Sequence, residues 1–140
     1  MCSVRMPRFN LNDIVFSVER QAENHWPDEC CGFINDRGEL VPVANEARDK
    51  RKNFFISVAS EKYVSRRHVI SGVYHSHVDA SAYVSKADRA GAGSMYGLYI
   101  VTSVVAGVAR ETKVFLHNQE GFSQVKLPCP LTDTSNCSKQ

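Results

Sequence analysis

The run Val69-Ile70-Ser71-Gly72-Val73-Tyr74-His75-Ser76-His77 constrains this chain more than any other. It is apolar and rich in β-branched residues, so it reads as a strand. Alternate side chains of a strand share one face. A strand continued through His77 therefore puts His75 and His77 side by side, where two imidazoles can reach one metal ion. A polar, Ala-rich loop follows, and Ser85-Lys86-Ala87-Asp88 reads as the first turn of a helix capped by Ser85. Asp88 lies one helical turn on, so its carboxylate can swing back towards the histidines. Three protein ligands with an open fourth position is the arrangement of a catalytic zinc, whereas structural zinc sites close with four. The same ligand types also suit other divalent ions.

Each half of this pattern has a plain structural reading. His-x-His arises by accident in many chains, and Ser-x-x-Asp is a variant of an ordinary capping box. Together they are more specific. Given His75-x-His77, a Ser and an Asp at two fixed later positions are a coincidence of roughly one in a few hundred at average residue usage.

The full pattern, His75-x-His77, seven residues, then Ser85-x-x-Asp88, resembles the signature of the JAMM metalloproteases, the MPN-plus branch of the MPN domain family. That family also carries a Glu upstream in a Pro-x-Glu-x-Cys-Gly context, and Pro27-Asp28-Glu29-Cys30-Cys31-Gly32 fits it without a gap. The resemblance runs from about residue 11 to about residue 127. Two positions depart from it: Val78 and Val84 stand where family members usually have Pro. Proline fixes φ and stiffens a loop, so its absence predicts a more mobile segment over residues 78–84. No ligand or catalytic group is lost with it.

The resemblance implies an α+β fold of MPN type, a mixed, mostly antiparallel sheet flanked by helices, with the Glu-bearing strand beside the metal-bearing one. It implies one zinc per chain held by His75, His77 and Asp88. Glu29 then takes a proton from the nucleophilic water and passes it to the leaving amine, and the Ser85 hydroxyl donates to the oxyanion of the tetrahedral intermediate. The reaction implied is hydrolysis of the peptide or isopeptide bond at the C-terminus of a ubiquitin-like protein, in deconjugation or precursor processing. Activating (E1-like) and conjugating (E2-like) enzymes are the candidate partners. The chain lacks long insertions and looks like the compact prokaryotic or phage members. A phage-tail-type assembly peptidase and a non-catalytic MPN scaffold are the alternatives. Scaffold relatives usually lack a ligand or the Glu, and here all five positions are filled.

The rest of the chain fits a single domain over residues 1–127. The 140 residues are 43% hydrophobic, enough for a core, and the net charge of +2 gives no reason to expect nucleic acid or a membrane surface as partner. No run approaches the length of a membrane span and no signal peptide is visible, so the expected location is cytoplasmic. Five cysteines without a Cys-x-x-Cys suggest neither a disulfide framework nor a four-Cys zinc site. Cys30 and Cys31 should point to opposite faces of a strand, at least one of them into the core.

Periodicity predicts a helix over 11–25 with Asn12 at its cap, ended by Pro27. A hairpin follows, with strands over 30–34 and 39–44 around Asn35-Asp36-Arg37-Gly38. Residues 45–53 read as a loop whose basic run, Arg48, Lys50, Arg51 and Lys52, is either solvated or a patch for an acidic partner. Phe54-Phe55-Ile56 reads as a short strand, and Ser60 as the cap of a helix over 61–68. Asp79 is a loop residue bonding its own backbone or, less simply, a group orienting a ligand. The helix from Ser85 should break near Gly91-Ala92-Gly93. Strands are expected over 97–102, 108–116 and 122–127, and the Pro-, Thr- and Ser-rich residues 128–140 read as a disordered tail.

Overall fold

The computed structural model describes residues 10–85 and 97–127. Helix α1 spans Leu11–His25 and α2 spans Val58–Ser65. The strands are β1 (Cys31–Asn35), β2 (Leu40–Val43), β3 (Ile70–Val78), β4 (Gly97–Val105), β5 (Val108–Asn118) and β6 (Gly121–Val125). They form one sheet in the order β2-β1-β3-β4-β5-β6. Only β3 and β4 run parallel; the other four pairings are antiparallel. This is the mixed α+β architecture expected from the sequence. The helix expected after Ser85 and the C-terminal tail lie outside the described residues.

The sheet separates two apolar layers, and the alternation of β3 assigns its residues to them. α1 places Leu11, Ile14, Val18 and Ala22 against Tyr74, Leu98, Ile100, Val104 and Val114. The other face gathers Phe33, Val73, Tyr99 and Val101 with Val64 of α2. Tyr74 thus faces α1, while Val73, His75 and His77 face the α2 side. β4 is buried on both faces over Gly97–Val104, as expected of a strand covered from both sides.

Three local expectations are corrected. The cap of α1 is Asn10, whose Oδ1 accepts from the Asn12 N–H at 2.8 Å. α2 begins three residues earlier than Ser60 predicts, because Ser57 Oγ accepts from the Ser60 N–H at 3.1 Å and caps the helix. Glu46 fastens this cap, its Oε2 accepting from the Ser57 N–H and the Ser60 hydroxyl, bonds that also hold its carboxyl below the usual carboxylate range. Residues 54–56 are not a strand of the sheet. Their backbone is spoken for elsewhere: the Phe55 N–H donates to Asn45 Oδ1 and its carbonyl accepts from the Glu46 N–H. Phe54 stacks its ring on His75 instead of pairing with the sheet.

Gly32 ends the Pro-x-Glu-x-Cys-Gly run for a steric reason. A Cβ there would collide with the Tyr74 hydroxyl and come within 2.7 Å of the Val41 carbonyl oxygen, a backbone atom of β2. Gly32→Ala is therefore expected to cost about 1–3 kcal/mol, the usual penalty for overpacking. A urea midpoint indistinguishable from wild type would show that β2 can withdraw.

Candidate metal and proton-transfer site

The pairing of β1 with β3 builds the site. Cys31 lies opposite His75 in an antiparallel ladder. Continuing that register by two residues sets Glu29 opposite His77. Beyond the ladder the two chains are still fastened: the Ser76 N–H donates to the Cys30 carbonyl at 3.0 Å, and the Cys30 N–H donates to Ser76 Oγ at 2.8 Å. Glu29 is further held by its backbone, its N–H on the Lys50 carbonyl and its carbonyl on Asn45 Nδ2. The residue is 5% exposed. Glu29, so far from His77 in sequence, comes to line the same cavity because the hairpin start is tied down on both sides.

His75 and His77 are 0% and 7% exposed, and their Nε2 atoms approach to 3.2 Å. Zinc–nitrogen bonds of about 2.0–2.1 Å at tetrahedral angles put two ligand nitrogens roughly 3.3 Å apart. The pair therefore fits a shared divalent ion. Aromatic rings fix both imidazoles: Phe54 stacks on His75 at 4.1 Å between centroids, and Tyr83 meets His77 edge-on at 4.9 Å. His77 Nδ1 lies 2.8 Å from the Ser81 carbonyl oxygen. No group of three His, Cys, Asp or Glu able to hold a metal occurs among the described residues. The third ligand expected from the sequence, Asp88, lies outside them.

A cavity of about 550 Å³ opens beside this pair, lined by Glu29, His77 and Ser85 on one side and by Phe33, Val73 and Tyr99 beneath. That volume is within the range of small-molecule sites. Arg51 and Lys52 of the basic run also line it, so half of that run borders the site instead of facing away from it. At the level of His75, β3 is paired on both sides, with Cys31 and with Val101. The sheet edges are β2 and β6. An extended ligand thus cannot join the sheet on β3 at His75.

The loop after β3 is hydrogen-bonded to the next two strands. The Asp79 N–H donates to the Val104 carbonyl at 2.8 Å, and Asp79 Oδ1 accepts from the Ala106 N–H at 3.2 Å. The Ser103 hydroxyl donates to the Ala80 carbonyl, and the Ala82 N–H donates to Glu111 Oε1 at 3.0 Å. Ala82 is fully buried. Hydrogen bonds to β4 and β5 thus anchor residues 79–82, within the segment where the absence of proline at 78 and 84 leads one to expect mobility. Asp79 bonds across to the β4–β5 turn and not to a ligand.

Burial pushes the Cys30 thiol up to about 11 and the Cys31 thiol up to about 12. The nearby Glu29 carboxylate adds to both shifts. Without a metal beside them both thiols stay protonated at neutral pH, so neither is a ready thiolate nucleophile. Their roles are in packing: Cys30 in the α1 layer, Cys31 with its Sγ on the Val43 carbonyl.

Residues 15–117 match the family described as prokaryotic homologs of the JAB domain. The chain belongs to this prokaryotic JAB-domain family. Two solution structures share its fold. One is of a protein from Desulfitobacterium hafniense, 20% identical, covering 85% of this chain and 89% of its own, with a TM-score of 0.61. The other is of a protein from Salinibacter ruber, 19% identical, covering 89% of this chain and 93% of its own, with a TM-score of 0.59. No curated protein matches the sequence. No described helix of this JAB-domain chain is long and apolar enough to cross a membrane.

Proposed function

We propose that this JAB-domain protein is a zinc-dependent peptidase or isopeptidase that cuts at the C-terminus of a ubiquitin-like protein. The observation that carries the proposal is the 3.2 Å approach of the two buried histidine Nε2 atoms, one of them on His77, which lines a cavity together with Glu29 and Ser85. His75, His77 and Asp88 would hold the metal. When bound, zinc supplies a Lewis acid for the scissile carbonyl and lowers the pKa of coordinated water to about 7. Glu29 accepts the proton of the attacking water and delivers it to the leaving amine. Ser85 donates its hydroxyl to the oxyanion.

The depth of the histidines favours a flexible tail as substrate, because a folded surface cannot bring its backbone to residues this buried. Small residues before the cut, glycine above all, let the tail approach Ser85 closely. The cavity accommodates the residues next to them. Two fusions of a candidate ubiquitin-like protein test the reading, one with its native tail and one with the last tail residue changed to Trp. The native tail should be cut and the Trp tail cut at least about tenfold more slowly. Equal cutting rejects the small-residue requirement. Cutting of neither by protein with zinc bound rejects the substrate class and leaves a tail-assembly peptidase or a scaffold.

A further inference from the structure

The peptide unit between Ser81 and Ala82 is bonded at both ends. Its carbonyl oxygen lies 2.8 Å from His77 Nδ1, and its N–H donates to Glu111 Oε1 at 3.0 Å. A carbonyl oxygen can only accept, so Nδ1 is the protonated nitrogen of His77. In the neutral ring Nε2 then carries the lone pair, and this is the atom 3.2 Å from His75 Nε2. A trans peptide points its C=O and N–H in opposite directions. One planar group therefore stands between the imidazole of His77 and the carboxylate of Glu111, with a hydrogen bond on each side running in the same sense.

We infer that Glu111 is a positioning residue for His77 and acts on it through the Ser81–Ala82 peptide. The carboxylate polarises the peptide, hydrogen bonds in series strengthen one another, and the Ser81 carbonyl becomes a better acceptor for the Nδ1 proton. The result is one tautomer and one ring orientation, with Nε2 held towards His75. Histidine ligands commonly obtain this from a carboxylate that touches the ring directly; here a backbone group is interposed.

The surroundings fix the relay. Glu111 sits on β5 opposite Ser103 of β4, and the Ser103 hydroxyl holds the Ala80 carbonyl, so adjacent strands grip the loop on both sides of Ser81. Lys113 lies 3.8 Å from the second carboxylate oxygen of Glu111, leaving Oε1 to the peptide. The tautomer part of the inference stands on hydrogen-bond geometry alone; the metal part rests on the function proposed above.

The experiment compares wild type, Glu111→Gln and Glu111→Ala. Nitrogen-15 NMR of metal-free protein at mildly alkaline pH reads the tautomer of His77, and competition with a chelator reads zinc affinity. Wild type should hold His77 almost wholly as the Nδ1–H form. Glu111→Ala should mix the tautomers and weaken zinc binding about tenfold, the lower end of the cost of losing an outer partner of a metal-bound histidine. Glu111→Gln keeps an acceptor without the charge and should fall between. A Glu111→Gln protein equal to wild type in both readings overturns the inference and reduces Glu111 to a loop tether, and it decides the matter even where Glu111→Ala fails to fold. So does a wild-type His77 protonated on Nε2. Wild-type protein that takes up no zinc defeats the proposed function, while its tautomers still decide the relay.

Discussion

His77→Ala is expected to abolish zinc binding while leaving the fold in place. Wild-type protein should carry about one zinc per chain, measured by elemental analysis, as a single site with three protein ligands requires. His77 projects from the end of β3 towards the cavity, and its loss removes one of the two nitrogens that converge at 3.2 Å. The affinity should fall by more than the roughly 10–100-fold that follows the loss of an outer partner alone. Asp88→Ala should have the same effect if its carboxylate is the third ligand. His75→Ala tests the metal less cleanly. His75 is fully buried under Phe54 and beside Tyr99, so its truncation also opens a void in the α2-side layer. Thermal unfolding of the metal-free variants separates the two effects, because only His75→Ala should lower the midpoint strongly. Wild-type protein that holds no divalent metal and takes up none refutes the metal centre.

How far the sequence revealed this arrangement depends on the range of the interaction. The period-2 alternation of β3 is local, so it put His75 and His77 on one face, and the pairing of Cys31 with His75 agrees with the Glu-bearing strand lying next to them. Helix α1 was legible because Ile14, Val18 and Ala22 recur on one side. The errors fall where a distant group decides. Phe54-Phe55-Ile56 has strand composition, yet Asn45 and Glu46 take its backbone bonds, and no periodicity signals a side-chain amide doing so. Ser57 and Ser60 are both plausible caps, and Glu46, outside the helix, bonds to both of them. The loop after β3 is likewise anchored by Ser103 and Glu111, more than twenty residues on, bonds that no local pattern announces. Glu111 drew no attention in the sequence because a glutamate on a partly exposed strand is ordinary. Tyr83 and Phe54, which wedge the two imidazoles, gave no signal either.

Glu29→Gln is expected to retain zinc and fold but to lose activity by about 100-fold or more, the usual contribution of a general base. The substitution keeps the shape of a side chain that is 5% exposed while removing its charge and its ability to take a proton. It also leaves the backbone bonds that hold the residue, because the Lys50 carbonyl and Asn45 Nδ2 bond to main-chain atoms. Three measurements on one sample decide it. Zinc content should equal wild type, since Glu29 is assigned to the water and not to the metal. The urea midpoint should move little. The loss should appear in kcat and kcat/KM together, as for an interaction made only in the transition state. A variant that cuts at the wild-type rate removes Glu29 as the base. A variant that loses zinc along with activity makes Glu29 a ligand, and the open position expected from two histidines and one aspartate would then have to be counted again.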